Sequence, residues 1–397
     1  MRIAGLLFAT FLLACATGGA WAQTQTTEAL APRIGVVTMG PGEVFWERFG
    51  HDAIVVQEPG SGQATSYNFG FFDMAEDGFI KRFVKGQMQY MLVALPLEQD
   101  LAYYREVGRG ASIQWLNLDP AQAHQLAADL AENAKPENAR YRYDYYTDNC
   151  ATRVRDALDR ALGGQLRRQL EVRSSGDTYR SESLRLASPA PWMWLGFDLG
   201  LGPRGDRPLS RWEQAFLPRR LADDLRDAKR ADGRPLVFEE IELLPQQVAA
   251  EPRESPRRLW PWLLGGIATA MLILIAARRM PRTLAGIALP FWLACGVLGL
   301  ILALGWAFTD HVALWANRNL LLLSPLCLLL LPGGFALLRG RRPSPRFRAL
   351  LIAIALLAAL ACLPLWLQVL PQRNGYWIAL LLPIHAAFAW AYRRPSR

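Results

Sequence analysis

The sequence predicts an α+β exported domain followed by an all-α bundle of five transmembrane helices. Three observations carry this: a leader-like N-terminus, an apolar content that concentrates after Trp260, and arginines that recur in alternate loops of the apolar half. The two halves are built for different solvents.

Residues 1–22 have the form of a cleaved signal peptide. Arg2 supplies the basic start, Ile3 to Ala14 the apolar stretch, and Ala20-Trp21-Ala22 the small-x-small site that a signal peptidase accepts. The alternative is a lipoprotein-type cut before Cys15, after Leu12-Leu13-Ala14. Export follows from either.

Residues 23–244 form the exported domain. Ile34 to Met39, Asp52 to Gln57 and Ala64 to Phe72 are β-branched or alternating, and Gly-Pro and Gly-Ser-Gly turns lie between them, so they predict strands of a small sheet. Pro96 to Gly108 and Asp119 to Ala134 have helical spacing, the second with Asp119 as cap and Pro120 at the first helical position. Ser112 to Leu118, between them, reads as a strand. Arg140 to Tyr146 is extended and aromatic, and it runs through Thr147-Asp148-Asn149-Cys150 into a helix that stops at Gly163-Gly164. Farther on, Trp192, Trp194 and Phe197 read as the packing residues of a small helix, with contact to lipid or a substrate tail as the alternative.

Residues 245–258 are a polar linker, and residues 259–397 are the membrane domain. Five apolar stretches have about the twenty residues a bilayer requires: Trp260 to Ala277, Leu284 to Phe308, Asn319 to Leu338, Ala349 to Leu370 and Gly375 to Tyr392. Arginines follow the first, third and fifth, at Arg278, Arg279 and Arg282, at Arg339 to Arg348, and at Arg393 to Arg397. By the positive-inside rule these loops are cytoplasmic. The chain is therefore expected to be a multi-pass inner-membrane protein with its N-terminal domain in the periplasm and its C-terminus in the cytoplasm. Arg257 and Arg258, just before the first span, run against the trend.

The net charge of +9 divides unequally. Residues 259–397 hold thirteen arginines and one acid, so they carry +12 and leave −3 for the rest. The basic excess is a topology signal, and no nucleic-acid partner is expected. No cysteine-histidine cluster has metal-ligand spacing and no Gly-rich loop is suited to phosphate, so neither metal nor cofactor is required.

Cys295, Cys327 and Cys362 fall inside spans, which leaves Cys150 as the lone thiol of the exported domain. At a helix N-terminus, free amides and the helix dipole favour an anion and are expected to lower a thiol pKa toward neutrality. A thiolate needs a base. His124 lies mid-helix among Ala and Leu, where a structural or surface histidine is expected; His51 begins a strand and is the candidate base. Asn68, in Tyr67-Asn68-Phe69-Gly70, is the candidate orienter of its imidazole, since a third group usually accepts the other ring N–H. Asp52 should point to the opposite sheet face from His51 and is the weaker orienter. The Cys150 amide with Asn149, Tyr145 or Tyr146 are candidate oxyanion donors. Asp310 and His311, between the second and third spans, are expected to cap span ends, with contact to the exported domain as the alternative. His385 lies inside the fifth span and should be neutral or face a neighbour.

Phe49-Gly50-His51-Asp52-Ala53-Ile54, Tyr67-Asn68-Phe69-Gly70 and the run Asn149 to Asp156 resemble the motifs of the Lnb N-terminal periplasmic domain family. Asp310-His311 and the run Asn317 to Leu321 resemble the loop and third span of its membrane part. The resemblance implies a circularly permuted, papain-like, NlpC-related fold in which the histidine strand precedes the cysteine helix. It also implies transfer of an acyl chain from a lipid or lipoprotein substrate through an enzyme thioester, with Cys150 as nucleophile, His51 as base and acid, and Asn68 as orienter. A cell-wall peptidase or amidase is the alternative activity, and a noncatalytic envelope module the alternative class.

Overall fold

The structure is a computed structural model that describes residues 30–172, 174–253, 256–364 and 372–393. The expected leader, with Cys15 and Ala22, lies outside the described residues.

A seven-stranded antiparallel sheet organises the N-terminal domain. Its strands are β1 (Arg33–Met39), β2 (His51–Gln57), β3 (Ala64–Phe71), β4 (Gln89–Pro96), β5 (Ala111–Leu116), β6 (Arg140–Arg142) and a late strand, Val237–Leu244, that pairs with β5. Alternation along β1 to β3 divides the side chains cleanly. Val36, Ile54, Val56 and Phe69 face a layer built on the helix Pro120–Asn133 and the helix Cys150–Ala161. Val37, Ala53 and Val55 face Leu101 and Tyr104 of the helix Leu97–Glu106.

The expected strands at Ile34, Asp52, Ala64 and Ser112 and the helices at Pro96, Asp119 and Ala151 are present within two residues of their bounds. Three elements carry weaker sequence signals. The strand Gln89–Pro96 buries only alternate residues at one end, so its pattern blurs into the helix that follows. The helix Phe79–Lys85 is short. The late strand Val237–Leu244 is an exposed edge rich in glutamate, and it joins the sheet through the register of β5 alone.

In the C-terminal region, Trp260–Arg279, Pro281–Phe308 and Arg318–Leu338 are long and apolar enough to cross a membrane, Gly375–Ala391 is a shorter apolar helix, and Pro345–Leu360 is a helix within the expected fourth span, whose end at 365–370 lies outside the described residues. The expected third span is not one α-helix. It begins as 3-10 turns, Arg318–Leu321 and Pro325–Leu330, and becomes α-helical only at Leu331–Leu338. Pro325 has no N–H to extend a helix backward, and the interruption leaves the Leu322 carbonyl for His385 Nε2 at 2.9 Å. His385 thus faces a neighbour, within the buried core of the bundle.

The two regions are joined by buried polar contacts. Asn317 Nδ2 donates to the carbonyls of Leu199 and Gly200 at 2.7 and 2.8 Å, and Asn319 Nδ2 donates to Leu199 at 2.9 Å. Arg257 donates to both oxygens of buried Asp198, at 2.9 and 3.0 Å, and Trp377 Nε1 adds a bond at 2.9 Å. This explains one of the two arginines that run against the loop trend: Arg257 serves an ion pair at the domain junction.

Candidate active site

The extended run expected from Arg140 to Tyr146 is shorter: β6 stops at Arg142, the chain turns between the bridged Asp144 and Asp148, and Asn149 then caps the helix Cys150–Ala161. Its Oδ1 accepts from the Thr152 amide at 2.9 Å, and the Thr152 hydroxyl accepts from the Asn149 amide at 2.7 Å. The Asn149 NH2 donates to the carbonyls of Tyr145 and Phe216, both at 2.9 Å. Asn149 is thereby consumed as a cap and has no donor left for an oxyanion, contrary to the expectation. Tyr146 is likewise committed: it is buried against Tyr179 and Phe216, and its hydroxyl pairs with Ser183 at 3.0 Å. Tyr145 is half-exposed and stacks on His311 with ring centroids 6.1 Å apart.

The helix start sets Cys150 against the β2 and β3 ends. A Cβ placed on Gly70 would lie 3.8 Å from Cys150 Cβ and 3.8 Å from the Tyr141 hydroxyl, with the Tyr143 ring beside them. The amides of Asp52, Ala151 and Cys150 point at the thiol and favour its anion. They are outweighed. Burial, and next the Asp52 carboxylate, push the thiol up to about 12, so the resting group is a neutral thiol and the expected lowering toward neutrality does not occur.

His51 sits at the first position of β2, on the face opposite Asp52. Its Nε2 donates to Asn68 Oδ1 at 3.0 Å. The Asn68 NH2 donates to Asp100 Oδ2 at 2.9 Å and to Ser66 Oγ at 3.0 Å, and Ser66 Oγ donates to the same Asp100 oxygen at 2.6 Å. Because the NH2 must face that carboxylate, the Asn68 carbonyl must face His51, and the imidazole carries its proton on Nε2. Nδ1 is left with the lone pair. Burial lowers the His51 pKa, with nearby Arg109 in the same sense and Asn68 and Asp100 opposing, so the resting imidazole is neutral.

Asp52 occupies the thiol's face of the sheet, fully buried. Oδ1 accepts from the Thr38 hydroxyl at 2.8 Å, while Oδ2 has no partner. Burial pushes its carboxyl up to about 7. The Tyr141 hydroxyl is also buried without a partner. Sequence reasoning missed Asp100, Tyr141 and Tyr143. The alternation Tyr141, Tyr143 beside the β3 end was the available signal for the tyrosines, whereas Asp100 is brought to Asn68 only by the packing of the helix Leu97–Glu106. His124 is exposed on its helix. Among the described residues, no group of three or more His, Cys, Asp and Glu side chains is gathered to hold a metal ion.

Asp310 and His311 do not cap spans. Asp310 accepts from Gln87 at 3.0 Å and Arg142 at 2.9 Å, its amide donates to the Lys85 carbonyl at 2.8 Å, and His311 Nε2 donates to the Phe83 carbonyl at 2.9 Å. They pin the N-terminal domain to the loop after the second span.

An α+β domain with a partly buried cysteine and histidine, seated on apolar helices, defines a membrane-associated, enzyme-like module. Residues 20–184 match the Lnb N-terminal periplasmic domain, and residues 255–394 match the Lnb transmembrane domain. The chain belongs to the Lnb family. No curated protein and no solved structure matches it.

Proposed function

We propose that the protein is a membrane-tethered thiol acyltransferase that takes an acyl chain from lipid-linked or lipoprotein substrates at the periplasmic face of the inner membrane. One observation carries this: the amide of Asp52 points at the Cys150 thiol, and the residue before it, His51, is the imidazole held by Asn68 at the start of the same strand. A neutral thiol and a neutral imidazole with a free Nδ1 are thereby held at the same strand end. In the proposed reaction Cys150 Sγ attacks an ester carbonyl, and its proton passes through His51 to the departing alcohol oxygen as the C–O bond breaks. An amine then attacks the thioester carbon, the C–S bond breaks, and the amine proton returns through His51 to sulfur. The amides of Cys150 and Asp52 are the donors aimed at developing negative charge, and His51 is oriented by Asn68 with Asp100 behind it.

The test is incubation of the full chain in lipid vesicles with a diacylated lipopeptide. A hydroxylamine-labile acyl group on Cys150, absent in Cys150→Ser and His51→Ala, is the expected result. Cleavage of muropeptides without any acyl adduct would replace this reading with an amidase. Neither product from folded protein would leave a noncatalytic module.

A further inference from the structure

We infer that the helix Phe79–Lys85 and an aromatic rim running from it to Trp192 rest in the outer layer of the bilayer, so that the acyl chain of a membrane lipid reaches Cys150 without crossing water. The substrate consequence rests on the acyltransfer reading; the lipid contact does not.

Two elements of the N-terminal domain are tied directly to span ends. The helix Phe79–Lys85 is held through its Lys85 and Phe83 carbonyls by Asp310 and His311, which follow the second span's last helical residue, Phe308, almost at once. The helix Pro191–Gly200 is held through Leu199 and Gly200 by Asn317 and Asn319, where the third span begins. Both are therefore at the height where hydrocarbon gives way to head groups. Phe308 and Trp306 are themselves exposed there.

A continuous line of rings joins the two helices: Trp192, Phe45, Trp46, Phe72, Phe79 and Phe83. Successive centroids lie 5.9, 4.7, 6.2, 5.8 and 6.3 Å apart. Phe72 and Phe79 pack into the domain core, and the rest turn outward: Trp192 is 65% exposed, Phe45 and Trp46 44% each, and beside Phe83 the helix exposes Ile80 at 67% and Val84 at 60%. Apolar surface of this extent facing water carries a cost of roughly 25 cal/mol per Å². Lipid removes that cost. Lys81 and Lys85, exposed on the same short helix as Ile80 and Val84, suit head-group phosphates, and tryptophan is the side chain most at home at this depth. The occupant is thus a bilayer lipid rather than a soluble protein. The line also passes the site, because Phe72 lies two residues beyond Gly70, whose backbone faces Cys150.

The test uses the full chain in phosphatidylcholine vesicles containing alkyne-tagged phosphatidylglycerol, with p-benzoylphenylalanine at position 80, 84 or 192. Position 238 is the control: Phe238 is 56% exposed and packs near Arg33, at the sheet end opposite His51. Lipid adducts at 80, 84 and 192 but not at 238 are expected. Equal labelling at 238, or no lipid adduct at the three rim positions, overturns the inference. In a second arm, Ile80→Glu with Val84→Glu should lower Cys150 acylation from vesicle lipid at least tenfold, while leaving acylation by a detergent-dispersed donor unchanged. Equal loss with both donors also overturns it. If wild-type Cys150 is never acylated, the acyltransfer reading fails while the adduct pattern still decides the lipid contact.

Discussion

Asn68 holds His51 by its carbonyl and is itself held by Asp100, with distances of 3.0 Å to the imidazole and 2.9 Å to the carboxylate. The direction of this chain is fixed by donor and acceptor chemistry, so a single tautomer of His51 is selected. Asn68→Ala should leave the imidazole free to turn and should slow acylation of Cys150 by on the order of 10²-fold. Stopped-time mass spectrometry of the acyl-enzyme measures this, with thermal unfolding run alongside to establish that the variant is folded. An unchanged rate would remove Asn68 from the mechanism.

Asp52 makes a pH-dependent contribution whose sign follows from its raised pKa. Its carboxyl titrates at about 7 in the fold against an ordinary 3.8, so the folded state holds the proton more tightly. The stability this provides is complete below the ordinary value and is lost as pH rises through about 7. Asp52→Asn should flatten that slope, as read from denaturant unfolding at acid and neutral pH. A second effect is kinetic: with the Asp52 charge gone, alkylation of Cys150 should begin at lower pH than in the wild type, whose thiol is held up to about 12 first by burial and then by that charge. Coincident alkylation profiles would show that the carboxylate does not act on the thiol.

Asp198 is buried beneath Arg257 and Trp377, with the Arg180 guanidinium 4.0 Å away. Asp198→Ala leaves arginine charge without its partner at the domain junction, a type of change that costs about 3–5 kcal/mol. Limited proteolysis of the detergent-solubilised protein should show faster cutting between the two regions. Asp198→Asn keeps the shape and should be the milder of the two.

Gly86 occupies left-handed backbone with φ +72°, and a Cβ there would lie 2.8 Å from the His311 amide nitrogen. Gly86→Ala should therefore cost about 1–3 kcal/mol in backbone strain and push the helix Phe79–Lys85 off the loop. Hydrogen exchange at residues 79–86 and 309–314 should quicken, with the β1–β2 pair unaffected. Protection identical to wild type would show that the contact tolerates a side chain.

The sequence by itself marked the candidate residues and the stretches that suit lipid. Strand alternation, the Asp119 cap, the helical spacing after Asn149 and the apolar runs are local signals, so the strand that begins at His51, the helix that begins at Cys150 and the apolar helices were legible. The tertiary structure decided what those residues meet. Asp100 reaches Asn68 across 32 positions, and Arg257 reaches Asp198 across 59, through packing that no local pattern encodes. Asn149 and Tyr146 were plausible donors by position and were claimed instead by neighbouring carbonyls and a serine, because buried polar groups must be satisfied. The Cys150 amides favour an anion, as its helix position implied, yet the depth of the thiol and the carboxylate beside it are properties of the assembled site. Burial is collective, and its cost exceeds what one helix end supplies.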